Sequence, residues 1–442
     1  MGADAPKLLR VLSKWDLLAY GINQVIGGAI FLMPAALAAQ IGNCSPLAFI
    51  AAGFASLASA LCFAEVGSRF EGTGGSYLYI HAAYGRFAAF EIGWIQWFVR
   101  VSSQASIVIG TTLALGFYWP AIQTGTPRAI CIASITLGLG FITVRGIRQS
   151  AWLINTLTIG KLLPLAIFIA IGVFHANWSR LAPLPPVSPG QAVTAALLLV
   201  FAFGGFDTIS VPAGEARDPR RDLPFAFVGT IAAVTIIMTL IQATVITTLG
   251  DASRSSTPLA DAANTFMGPF GAAIIGAGAV LSMTGNNAGG VLAGSRLLFA
   301  LAENDQLPRV FARIHPAYRT PSNAVWFTTA VALFLALSGS FTLLAAASAV
   351  ARLVTYVGVA AATLTLRQPR FHSRAPAATF TAPFGGAVPA ASLLLSLVIL
   401  AGATGRQALI GSGALLFGTL LFFLHDRFGR GGRGQPSQTP PA

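Results

Sequence analysis

The sequence predicts an all-α integral membrane protein, and three observations carry that prediction. The 442 residues are 55% hydrophobic and only 9% charged, with a mean hydropathy of +0.72. Soluble domains carry about 25% charged residues because their surfaces face water, so much of this surface faces lipid instead. The apolar residues fall into long runs, and a helix of about 20 apolar residues is what crosses a bilayer core. The cations collect in the short loops between those runs, giving the net charge of +13 the pattern of a topology signal.

Taken in order between Gly, Pro and charged punctuation, the runs give twelve spans: Leu17 to Gln40, Ser45 to Gly67, Phe87 to Leu115, Ala129 to Thr143, Trp152 to Phe174, Ala192 to Gly214, Leu223 to Leu249, Pro269 to Ala302, Ser322 to Leu337, Phe341 to Leu366, Gly386 to Ala403 and Gln407 to Leu424. With the N-terminus in the cytoplasm, the inside loops hold 19 of the Lys and Arg residues and the outside loops hold 4, namely Arg128, Arg180, Arg254 and Arg406. Both termini are therefore expected in the cytoplasm, and the even span count agrees. The tail from residue 425 to 442 reads as a short disordered end. Its RGG flavour is explained by positive-inside charge rather than by RNA binding, so no nucleic-acid partner is expected.

Other classes leave few traces. Cys44, Cys62 and Cys131 form no CxxC, and the five histidines form no HExxH, so no metal, disulfide framework or cofactor is indicated. An enzyme would need a convergent nucleophile, acid/base pair or P-loop, and a channel a ring of filter carbonyls; neither pattern is present. The N-terminus carries no cleavable signal, and Pro6 spoils a myristoylation motif. Oligomeric state is not legible, because lipid-facing and partner-facing apolar surfaces read alike.

Two spans contain breaks. The first holds Gly27-Gly28-Ala29 about ten residues in, and the sixth holds Gly204-Gly205 followed by Asp207. Paired glycines cost roughly 1 kcal/mol each in a helix and free backbone groups that lipid cannot satisfy, so such backbone lines a cavity. Interrupted helices that each open a five-helix block point to an inverted-repeat transporter with its site at the membrane midplane. The alternative is tight helix packing of small residues, which is the reading for Gly290 and Gly294 in the eighth span.

At these residues the chain resembles the bacterial amino acid permeases of the amino acid/polyamine/organocation superfamily. Gly21 to Phe31 is similar to the family's first-helix motif, and FxxxGGSYLY (70–79) to its second loop. FAFGGFD with PAGEARDPRRDLP (201–224) resembles its sixth helix and following loop, and SRLLFALAENDQLPRVFARIHPAYRTP (295–321) its eighth helix and loop. The resemblance implies a LeuT-like 5+5 inverted repeat of twelve helices with the first and sixth broken. Repeats would span 17–174 and 192–366, after a cytoplasmic segment 1–16 and before two further helices over 386–424. It implies a transporter in the inner cytoplasmic membrane whose partners are an amino acid, a proton and the bilayer. The substrate carboxylate would meet the amides of Gly28 and Ala29, and its ammonium the carbonyls of Val25, Phe201 and Gly204. Amides at a half-helix N-terminus and exposed carbonyls suit a zwitterion on physical grounds as well. Gln24, Gly27, Ser103 and Asp207 complete the expected binding set. Phe201 matches an aromatic gate. Ala29 departs from the family's usual Gly, and the Asn23-Gln24 pair is unusual there and suggests a more hydrogen-bonding side-chain pocket.

Five ionisable residues sit inside spans: Arg100, Lys161, Asp207, Arg296 and Arg352. Each costs about 2.5 kcal/mol or more at the bilayer centre unless paired or facing water, which makes each a functional candidate. Through GKLLPL (160–165) the resemblance places Lys161 where sodium-coupled relatives hold their ion. Burial disfavours the charged form of an amine, and Lys161 could then carry the coupled proton; snorkelling to the interface is the bland alternative. Asp207 matches an acidic position linked to gating and also reads as the N-cap of the second half-helix. Arg100 either pairs with an acid such as Asp207 or faces an anionic group on the substrate, and Arg352 belongs near the same acid in the outer gate. Arg296, Glu65 and Glu215 read as members of cytoplasmic-side ion pairs. The expected substrate is a neutral or broadly chosen L-amino acid taken up by proton symport, with exchange of cationic amino acids or polyamines as the other reading.

Overall fold

A backbone in lipid must satisfy its own amides and carbonyls, which makes helix the economical fold for this composition. The computed structural model describes residues 7–116, 118–338, 341–371, 373–402 and 405–429. Fourteen α-helices organise them, and among the described residues the β-type pairing is a single bridge between Leu12 and Ala216. Among the described residues, seven helical segments are long and apolar enough to cross a membrane, and four shorter apolar helices accompany them.

Helix α1 (Lys14–Val25) starts at a capping box, in which Ser13 N donates to Asp16 Oδ2 at 2.8 Å and Asp16 N donates to Ser13 Oγ at 3.3 Å. After a three-residue break comes α2 (Ala29–Ile41), and then α3 (Ser45–Gly67), whose bounds coincide with the second predicted span. Helix α4 (Ser76–Tyr84) occupies part of the stretch read as a loop; a nine-residue helix is too short to register as an apolar run. Helices α5 (Arg86–Leu115), α6 (Gly125–Arg145) and α7 (Ile147–His175) come next, α6 extending past its predicted run at both ends.

The sixth span is corrected in its second half. Helix α8 (Pro189–Phe203) stops at Gly204, and the chain then winds into short 3-10 turns over Phe206–Ser210 and Ala213–Glu215 rather than a second half-helix. Helix α9 (Pro219–Thr248) carries Pro219 in its first turn, where a missing N–H does no harm. Helix α10 (Pro258–Glu303) begins well before the predicted Pro269, which instead marks a kink at Gly268, φ 66°. The last helices are α11 (Ser322–Ser338), α12 (Phe341–Leu366), α13 (Ala387–Ala401) and α14 (Gly405–Gly429). Residues 425–429, expected to be disordered, continue α14; the rest of that expected tail, residues 430–442, and residues 1–6 lie outside the described residues.

Packing brings the two broken segments together. Helix α10 lies against α5 and α7, α3 against α9, and α6 against α11. Helix α1 packs on α7, α9 and α10, and the 206–210 turn touches α1, α3 and α9. Small residues make the close approaches, as expected for Gly290 and Gly294. A Cβ on Gly290 would lie 2.8 Å from Gln104 Cγ, and one on Gly294 2.8 Å from Thr328 Cγ2.

Candidate functional site

The break in α1 is built by rerouting its hydrogen bonds. Gly27 N turns back to Val25 O at 2.9 Å, so the carbonyls around it leave the helical ladder. Side chains from two neighbouring helices take them. From α7, Lys161 Nζ donates to Asn23 O at 2.9 Å and also to Ile26 O. From α10, Asn286 Nδ2 donates to Gln24 O at 2.8 Å, and Ser282 Oγ lies 3.0 Å from Ile26 O and 3.1 Å from Gly27 O. Lys161 is fully buried, which overturns the snorkelling alternative. Within 21–29, only Gly28 and Ala29 keep partial exposure. They stand at the start of α2, where the first amides have no intrahelical partner and the helix dipole is positive.

Asn23 and Gln24 are turned toward the scaffold. Asn23 Nδ2 donates to Gly285 O at 2.6 Å and Gln24 Nε2 to Asn286 O at 3.0 Å, both on α10. The unusual polar pair thus pins α1 to α10, and its side-chain donors are occupied there. Tyr20 adds a third tie, donating to Gly289 O at 3.1 Å. Sequence reasoning missed Ser282 and Asn286; the polar pair Asn286-Asn287 in the middle of an apolar span was the available signal.

The break in α8 presses directly on the first. Gly205 adopts φ 126°, open to glycine and rarely to other residues, and a Cβ there would lie 2.4 Å from Gln24 O. At Gly204 the obstacle is a side chain, since a Cβ would fall 1.8 Å from Arg352 Nη1 of α12. The guanidinium lies against the unwound backbone itself. Asp207 is the second residue of the 3-10 turn, with Gly205 at the N-cap position and no side-chain cap, so its expected N-cap role is corrected. Its carboxylate faces Arg100 of α5, with Nη2 to Oδ2 at 3.7 Å, and accepts from Tyr356 of α12 at 3.5 Å. The ring of Phe206 stacks on Tyr356, which fixes the turn against α12.

The charges divide into two sets. Near the entry to α9, Arg296 grips Glu215 with two bonds, Nε to Oε2 at 2.9 Å and Nη2 to Oε1 at 2.8 Å, both side chains fully buried. Glu65 receives Arg367 and lies 3.9 Å from Arg69. These arginines meet the expectation of ion pairs. Arg100, Arg352 and Asp207 form the second set. Arg100 Nη2 is buried without a hydrogen-bond partner, and Arg352 is near enough to act electrostatically on both Arg100 and Tyr356. Among the expected site residues, Ser103 is only half-buried, while Gln104 on the same helix reaches Asn287 O at 3.4 Å. The Phe201 side chain lies outside the described residues. Among the described residues no group of three His, Cys, Asp or Glu side chains converges as metal ligands would.

The site is thus two interrupted helices in contact, with free helix-start amides on one side and a charged cluster on the other. A family model described as amino acid permease matches residues 12–424. The chain belongs to that family. Among relatives of the permease, a methylthioribose transporter of Bacillus subtilis (strain 168) is 28% identical over 96% of this chain and 95% of its own. A serine/threonine exchanger, SteT, of the same organism is 30% identical over 72% of this chain and 74% of its own. The branched-chain amino acid permease BcaP, also of Bacillus subtilis (strain 168), is 26% identical over 95% of this chain and 94% of its own. The family and these relatives are permeases and transporters rather than enzymes.

Proposed function

We propose that this permease is a secondary active transporter that moves a neutral or broadly chosen L-amino acid across the cytoplasmic membrane by alternating access, coupled to protons through Lys161. The observation that carries the reading is the α1 break. Its carbonyls are held by Lys161, Ser282 and Asn286 while Gly28 and Ala29, at the positive start of α2, keep partial exposure. An α-carboxylate suits those amides, and an ammonium suits carbonyls of Val25, Phe201 and Gly204. Gln24 and Gly27 frame the backbone, with Asp207, Arg100 and Arg352 as the gating group.

A LeuT-like arrangement of two inverted repeats, 17–174 and 192–366, is part of this reading. Support for it comes from the pairing of equivalents. The α1–α2 break meets the α8 break, α3 meets α9, α5 meets α10, and α6 meets α11, so first to fourth members of each block touch their counterparts. A pseudo-two-fold axis between the blocks produces that pattern. Both termini are cytoplasmic on the charge count.

Lys161 supplies the coupling. Protonated, it makes charge-assisted bonds from α7 to the α1 break; deprotonated, its amine holds those carbonyls about half as strongly. Proton loss therefore loosens α1 from α7 and biases the bundle toward a second arrangement. Exchange is the second reading, favoured by the serine/threonine exchanger among the relatives. Radiolabelled L-amino acid uptake into sodium-free proteoliposomes separates the two. Under an inward proton gradient, uptake into empty vesicles is expected. Uptake only into vesicles preloaded with amino acid would replace symport by exchange, and a sodium requirement would refute proton coupling.

A further inference from the structure

The buried charges do not balance at the α8 break. Glu65 and Glu215 are held by Arg367, Arg69 and Arg296, which leaves Asp207 as the remaining fully buried acid among the described residues, against Arg100 and Arg352. Even that pairing is incomplete. The closest approach of Arg100 to Asp207 is 3.7 Å, and Arg100 Nη2 has no hydrogen-bond partner although it is buried. Arg352 rests on the Cα of Gly204 and repels Arg100 across the cluster. A buried guanidinium with an unfilled donor, beside a second one, is placed to donate to an anion.

We propose that Arg100 and Arg352 form a subsite for the side-chain carboxylate of an acidic amino acid, so that this permease selects L-glutamate or L-aspartate over their amides. The proposal rests on reading the two breaks as an amino acid site, and it narrows the broad substrate choice of that reading to the acidic members in place of the neutral ones. Its geometry requires two anionic loci. The amides that start α2 are one and would take the α-carboxylate. The arginine pair on the other break is the second, joined to the first by the contact of Gly205 with Gln24 O. With the substrate bound, two guanidiniums face two carboxylates and the cluster is neutral. A lysine or arginine side chain would add a third cation and is disfavoured.

The test is calorimetric titration of detergent-purified permease, in chloride-free buffer, with L-glutamate, L-glutamine, L-aspartate, L-asparagine and L-arginine. Each acid is expected to bind at least about tenfold tighter than its amide, the scale of one charge-assisted hydrogen bond, with L-arginine weakest. In Arg352→Gln the acid-to-amide ratio should fall toward one, and in Arg352→Lys, which keeps charge but not the fork, it should be intermediate. An amide that binds wild type as tightly as its acid overturns the proposal and leaves the amino acid site standing. So does a ratio that survives in Arg352→Gln, or amide binding that strengthens on adding chloride while the ratio stays near one. Should none of the five bind, the proposal falls, and the same titration with L-serine and L-leucine decides separately whether the amino acid site stands. The wild-type ratio decides the matter even if the variant does not fold.

Discussion

Glu215→Gln is expected to destabilise the protein by about 3 to 5 kcal/mol, the cost of leaving one partner of a buried ion pair uncompensated. Arg296 and Glu215 are both fully closed off from solvent and joined by two parallel bonds, so neither water nor another acid can take over. Glu215 also anchors the N-terminal segment through its backbone, since Val11 N and Leu12 N donate to its carbonyl at 2.8 and 2.9 Å. That backbone contact survives the substitution, and the loss measured is that of the charge pair. A stability on the order of 5 to 15 kcal/mol leaves little margin, so folded protein in the membrane should drop sharply. Fluorescence-detected size exclusion and thermal melting check this. The double variant Glu215→Gln with Arg296→Met should recover much of the loss, because it removes the stranded cation. A single variant that melts like wild type would show that the pair carries no stability.

The second large effect is on transport. Lys161→Ala removes two charge-assisted donors from the α1 break, each worth about 1.5 to 3 kcal/mol, and leaves Ile26 O to Ser282 and Asn23 O to a long bond from Asn286. If the lysine alternates between charged outward and neutral inward states, wild-type uptake rises as external pH falls. Over roughly pH 5 to 8 that slope should vanish in Lys161→Ala, together with most net uptake. Binding can persist, because the amides of Gly28 and Ala29 are untouched. Superimposable pH profiles for the two proteins would eliminate Lys161 as the proton carrier.

Much of this arrangement is legible in the sequence because lipid makes hydropathy report helix position. Helices α3 and α12 begin and end where their apolar runs do. The breaks are legible for the same reason, since Gly27-Gly28 and Gly204-Gly205 stand out against the aliphatic background. Less is legible where the signal is polar or short. Helix α4 has nine residues, and the first turns of α10 run through Asp261 and Asn264 before the kink at Gly268. Backbone just past a break is hidden as well: the PAGE stretch reads as helix by hydropathy, yet 213–215 winds as 3-10 backbone. Side-chain partners are the hardest to read. Asn286 and Ser282 bind carbonyls about 260 positions away in the chain, and Tyr356 reaches Asp207 across 149 residues. Arg296 with Glu215 could be guessed as a pair from their family positions, whereas the seat of Arg352 against Gly204 depends on a tertiary approach across 148 positions of the chain.

The central claim is that substrate binds at the touching breaks, and Gly28→Leu tests it most directly. Gly28 has ordinary helical angles, φ −72° and ψ −24°, so leucine is sterically permitted there. The nearest obstacle to a Cβ is the end of a flexible side chain, Met283 Cε at 3.1 Å. The variant should therefore insert and fold while its isobutyl group covers the amides that start α2. Equilibrium binding of radiolabelled L-amino acids to purified wild type and Gly28→Leu, matched by melting temperature, is the measurement. Saturable binding by wild type and none by the variant is the predicted result, and unchanged affinity in a folded Gly28→Leu protein would place the site elsewhere.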